Sequence, residues 1–208
     1  MGLFNREETE KQQLKRLSKH AGNVVEMLKG TLKGPQGTDM TIVLLYAAGL
    51  AGCACHEAVK AEGGTFAKAT TTNGRSYYLG DDVNKYLLEN PTSAYGFVKA
   101  VSSITDDDVR ALVVAVVQSL GTDDFKIWGM EPDGVYKGIR QCWDGILETM
   151  TKPWCKRPSE WPIFYGIVLQ NVILQAISIG APSDEIGKMA MGCAIPVSRM
   201  DTDSLASA

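Results

Sequence analysis

Histidine is scarce in this chain: His20 and His56 are the only two, so a mechanism needing several imidazoles is excluded. A cationic surplus is also lacking. The sequence has 21 Lys and Arg against 24 Asp and Glu, a net charge of −3. Phosphate binding rests on an excess of Lys and Arg, so no nucleic-acid partner is expected. Cys-x-x-Cys pairs are missing as well. The five cysteines stand at 53, 55, 142, 155 and 193, an odd number without zinc-site spacing. That pattern excludes a disulfide framework and points to reduced thiols in a cytoplasmic protein. There is no Walker loop, no Gly-x-Gly-x-x-Gly opening a helix, no Gly-x-Ser-x-Gly and no His-Glu-x-x-His. Internal repeats and low-complexity segments are likewise missing.

Membrane signals are weak. The opening MGLFNREETEKQQLKR holds no apolar run of the secretory kind, and Arg6 stands where myristoylation of Gly2 wants Ser or Thr. Residues 40–55 are too short and too rich in Ala and Gly for a span of ~20 residues. Residues 161–183 are long enough but carry Gln170, Asn171 and Gln175, and amides are costly in lipid. No membrane partner is expected.

What the sequence does hold is helical periodicity. Leu14, Leu17, Ala21, Val24 and Leu28 alternate steps of three and four, an apolar stripe on an otherwise charged helix. Residues 1–33 hold seven Lys or Arg against four Glu, so this arm is cationic while the rest of the chain is acidic. Such a stripe must be covered by the chain's own core or by a second subunit. KGPQGTD at 33–39 breaks the helix, and Thr38 or Asp39 caps a second one running to about Glu62. In residues 65–80, Asn73-Gly74 between Thr-rich and Tyr-rich arms is a hairpin signal, because both residues accept positive φ. Asp81 is expected to cap a short helix, 93–104 reads as another, and Thr105 caps the next, closed by Gly121. Residues 134–150 are amphipathic, 161–180 a largely buried helix, and Ser183 caps a last helix to about Cys193.

The expected fold is therefore mainly α: a single helical domain of about seven or eight helices with one small β-hairpin at residues 65–79. The domain is expected to span 1–196, with 1–33 an amphipathic helix that could serve as an oligomerisation arm. Residues 197–208 are expected to form a mobile tail. Strand and helix do not alternate, so a parallel sheet with a nucleotide crevice is not expected.

Several clusters could carry function. In AGCACHEAV, helical geometry puts Cys55 on a narrow apolar strip with Leu44, Ala48 and Ala51. Cys53 and His56 fall on the other side, three apart, where both could reach one metal ion. Two further ligands would have to come from elsewhere, so a cofactor is not otherwise expected. On 161–180, Gln170, Asn171, Gln175 and Ser178 lie within an arc of about 140°. Buried amides need partners, so this stripe faces water, forms a core network, or lines a pocket. Tyr78 and Asp82, after the hairpin, join Gln170, Asn171 and Gln175 as candidate ligand-binding residues. Asp81 and Asp82 otherwise serve a helix start, as do Asp106, Asp107 and Asp108. The loop PWCKRPSEWP places Trp154 and Trp161 either over a core edge or at a docking surface. Leu14, Leu17, Val24, Leu28, Trp154 and Trp161 are the candidate interface. Two functions fit these features. One is a non-catalytic interaction protein acting as a homo-oligomer, a homodimer in the simplest case. The other is an enzyme or small-ligand binder with its pocket where the 161–180 stripe meets Cys53 and His56.

Overall fold

A computed structural model describes residues 8–71 and 75–200 of the chain. Among these residues there are eight α-helices and two short antiparallel ladders, a mainly α single domain. The expected fold class holds.

Helix α1 (Glu10–Thr31) starts where Thr9 and Gln12 cap each other reciprocally, and its apolar stripe turns inward. Leu17, Val24 and Leu28 are fully buried against the rest of the chain, and Leu14 packs at the edge. The stripe was a candidate interface; its cover is instead the chain's own core, chiefly α7 (Trp161–Ser178). A two-residue hairpin follows, β1 (Lys33–Gly34) on β2 (Gly37–Thr38), where Gly37 takes φ +111°.

Helix α2 (Met40–Ala61), capped by Asp39, is the central rod. It packs on α7, on α8 (Ser183–Val197) and on α6 (Pro132–Ile146), so its two sides are both buried. The expected division of faces therefore fails: Cys53 and His56 are as buried as Cys55. Small residues permit this enclosure. A Cβ at Gly52 would collide with the Ala194 carbonyl of α8, so the two backbones touch there. Helix α2 and the segment Pro158–Ser178, which ends in α7, are each long and apolar enough to cross a membrane, and in this fold α2 and α7 pack against each other as the core.

The strands β3 (Ala67–Thr70) and β4 (Ser76–Leu79) pair antiparallel, with Ala67 opposite Leu79 and Thr70 opposite Ser76. The expected Asn73-Gly74 turn lies outside the described residues. Helix α3 (Asp81–Leu87) begins after Gly80, so Asp81 sits in the first turn with Asp82 and is not the cap. Ser93 caps α4 (Ala94–Lys99), and Thr105 caps α5 (Asp106–Ser119) through a reciprocal bond with Asp108. Gly121 takes φ +85° just beyond α5, as a C-terminal glycine should. Helix α6 continues into a wider π turn, Leu147–Thr151. A 3-10 turn, Pro158–Glu160, leads into α7.

The last helix runs past Cys193 to Val197. Order was expected to end at Pro196, but Pro196, Val197, Ser198 and Met200 are buried. Met200 bridges to Tyr77, and Tyr78 N–H donates to the Arg199 carbonyl at 2.7 Å. Beyond Met200, the expected tail lies outside the described residues. Around α1, Arg16 ties the chain together. Its guanidinium donates to Glu8, to the Trp154 carbonyl and to the buried Glu160 at 2.9 Å.

Candidate functional site

The residues singled out from sequence are scattered by the fold. Cys53 is held protonated by burial, with the charge of Glu57 adding to the shift. His56 faces the hairpin instead: its ring lies 4.8 Å from Phe66 and 5.3 Å from Tyr78, centroid to centroid. Its Nδ1 lies 3.3 Å from the Ser198 carbonyl, an acceptor only, so the proton sits on Nδ1. Among the described residues no three His, Cys, Asp or Glu side chains are grouped to hold a metal ion. The Asp82 carboxylate, exposed, accepts the Thr65 N–H at 3.3 Å. Gln170, Asn171 and Gln175 are half-buried on the outer side of α7, next to the exposed Leu174 and Ser178. His56 and Tyr78, from two different expected sites, are brought together. Trp161 is buried edge-on against Trp143, and Trp154 is half-buried against His20. The PWCKRPSEWP loop is thus a cover over a core edge, fastened by Arg16.

A different feature stands out at the surface. Two apolar hollows lie end to end along α6 and share the ring of Tyr46. The first, about 290 Å³, is walled by Ile42 and Leu45 of α2 and by Val135 and Ile139 of α6, with Met130 at its mouth. The second, about 480 Å³, runs between the end of α1 and the far half of α6. Met27, Leu32 and Met150 line it, and Gly138, Cys142 and Gly145 form its α6 side. Glycines open the groove. A Cβ at Gly134 or Gly145 would meet nothing within 4 Å, so backbone is accessible there. Three methionines on the walls add soft surface that can repack around a guest.

The mouth of the first hollow is formed by a strained turn. Ile127 and Met130 exchange both backbone hydrogen bonds around Trp128 and Gly129, whose φ values are +52° and +77°. Such a two-residue turn needs positive φ at both central positions. Gly129 accepts it freely; for a tryptophan it is a rare conformation that costs about 1–3 kcal/mol. The turn is held because the Trp128 indole N–H donates to the Met189 carbonyl at 2.9 Å and its ring lies over Gly192 of α8. Met130, 38% exposed, and Ile42, 42% exposed, are two large apolar side chains lining one opening, and Trp128 beside Met130 in the turn stays 45% exposed. Isolated exposed apolar residues are ordinary; a cluster rimming a groove marks a contact surface.

Thiol chemistry follows the same map. All five cysteines are unbridged, and four are buried. Burial pushes Cys155 and Cys193 up to about 12, and the Cys193 thiol donates to the Leu45 carbonyl at 3.3 Å. Cys142 alone opens on the groove, its pKa raised by partial burial to about 11. None of these thiols is tuned as a nucleophile, which would require the opposite shift.

The groove was not foreseen from the sequence. The signal was present in the glycines at 134, 138 and 145, spaced by four and seven on an amphipathic helix, which share one face. Compared with family models, with curated proteins and with solved structures, the chain matches none.

Proposed function

We propose that this chain is a non-catalytic helical interaction protein that works as a homo-oligomer, with the groove along α6 as its contact surface. The observation that carries the reading is the pair of apolar hollows meeting at Tyr46, rimmed by exposed Ile42 and Met130. Methionine and tyrosine are enriched at interface cores, and a glycine-sided groove suits an apolar helix face. The interface moves from the α1 stripe, which the core consumes, to α6. The thiols support this reading over an enzymatic one, since burial holds them protonated. Five unbridged cysteines also support a cytoplasmic placement.

Light scattering on the purified chain across a range of concentrations tests the reading. A mass of two or more chains is expected. A species that stays at 22.5 kDa at every concentration contradicts it.

A further inference from the structure

Helix α6 faces the groove with Gly138, Gln141, Cys142 and Gly145, and its charges are distributed unevenly about that centre. Lys137 is exposed and makes no ion pair with a described residue. Asp144 lies toward the other end; it is 54% exposed and shares its Arg140 partner with Glu57. At 1.5 Å per residue, Lys137 lies about 6–7 Å to one side of the point between positions 141 and 142, and Asp144 about 4 Å to the other.

We infer that the groove takes the α6 helix of a second copy, antiparallel, with Cys142 beside the two-fold axis. The inference rests on the homo-oligomer reading and goes further by fixing which helix enters and in which direction. Reversing α6 about that point brings Lys137 near the partner's Asp144 and sets the uncovered Gly145 against the partner's Tyr46, whose hydroxyl rests over the partner's Gly138. A parallel arrangement would align like charges, which is disfavoured. The open backbone at Gly145 leaves room for that ring, while Met27 walls the incoming helix. The arrangement is closed and self-complementary, the commonest form of a soluble homo-oligomer.

The test uses the full chain. Sedimentation gives the oligomeric state, and a short bis-maleimide reports whether two Cys142 thiols adjoin. The expected result is a dimer cross-linked through Cys142, with cross-linking lost in Cys142→Ser. Gly145→Trp fills the groove at a position where a side chain has room to point outward, so it should give a monomer with an unchanged melting temperature. Lys137→Glu should weaken association about tenfold and Lys137→Arg should restore it. If the chain is a dimer that Gly145→Trp leaves intact and the linker does not join, the α6 docking is wrong and the homo-oligomer reading survives. If the chain is a monomer at all concentrations, both fall. If that monomer's Cys142 is shielded by an added amphipathic peptide, the groove belongs to a different partner and the self-docking is again overturned.

Discussion

The hydroxyl of Tyr46 rests over Gly138: a Cβ added there would meet that oxygen at 2.6 Å. This contact joins the two hollows, since the same ring lines both. Gly138→Ala should therefore push the ring outward and narrow the passage. The helix itself should tolerate alanine, which is better by about 1 kcal/mol in a helix interior. The expected outcome is an unchanged or slightly raised melting temperature with weaker self-association in sedimentation. Unchanged association with a lowered melting temperature would mean that Tyr46 is only a packing residue.

Leu17 and Leu28 separate an internal stripe from an interface. Both side chains are fully buried within one chain. A carboxylate at either site would lie uncompensated among Val24, Val25 and the side chains of α7. Leu17→Asp or Leu28→Asp should lower stability by more than about 3 kcal/mol, the range for breaking a core with an unpaired charge. Denaturant melts measure this. A folded monomer from either variant would return the stripe to the interface.

Tyr136 provides a test in the opposite direction. It is 2% exposed, and its hydroxyl has no hydrogen-bond partner among the described residues. Burial holds the phenol well above its ordinary pKa, with Tyr77 as the next contributor. Removing an unsatisfied buried oxygen relieves a desolvation cost, so Tyr136→Phe should stabilise the chain by about 1 kcal/mol. Equilibrium unfolding in urea checks it, and a loss of similar size would show that the hydroxyl is partnered.

Acid should undo the chain through the termini of α1 and α5. The Arg16 guanidinium, followed by Lys156, holds the Glu8 carboxyl down at about 2, well under its ordinary 4.5. The Thr105 hydroxyl and backbone, with Lys188, hold Asp108 down to about 2. A carboxyl whose folded pKa is depressed stabilises the fold above its unfolded pKa, and that contribution is lost as pH falls through the folded value. Stability should therefore be flat above about pH 5 and fall between 4.5 and 2. In circular dichroism titrations Glu8→Gln should shed part of that slope; an identical slope would remove Glu8 from the account.

The fold was largely legible because its signals are local. The steps of three and four from Leu14 to Leu28, Asp39 before α2, and Thr105 before three acids each mark a helix by residues within a turn of its end. What failed was long-range. The α1 stripe announces burial but cannot say against what, and only the packing of α7 decides it. His56 is aimed at Phe66 and Tyr78 by a hairpin that follows α2 in sequence, while Cys53 three residues earlier falls in the field of Glu57 and Arg140 of α6. Helical spacing alone could not separate those two environments. Pro196 reads as a stop, yet α8 runs on to Val197 with its backbone packed against Gly52. The groove escaped notice because glycines at 134, 138 and 145 mean nothing until Tyr46 and Met27 stand opposite.

Cys142 offers the most direct measurement of the contact surface, since it is the one thiol open to the groove. Its pKa of about 11 predicts that labelling by a maleimide rises about tenfold per pH unit beyond 9, where an ordinary thiol levels off. At fixed pH, the rate should fall as protein concentration rises through the dimer's dissociation constant, because a docked α6 shields the sulfur. A rate that stays constant while light scattering shows the dimer forming would place the contact elsewhere on the molecule.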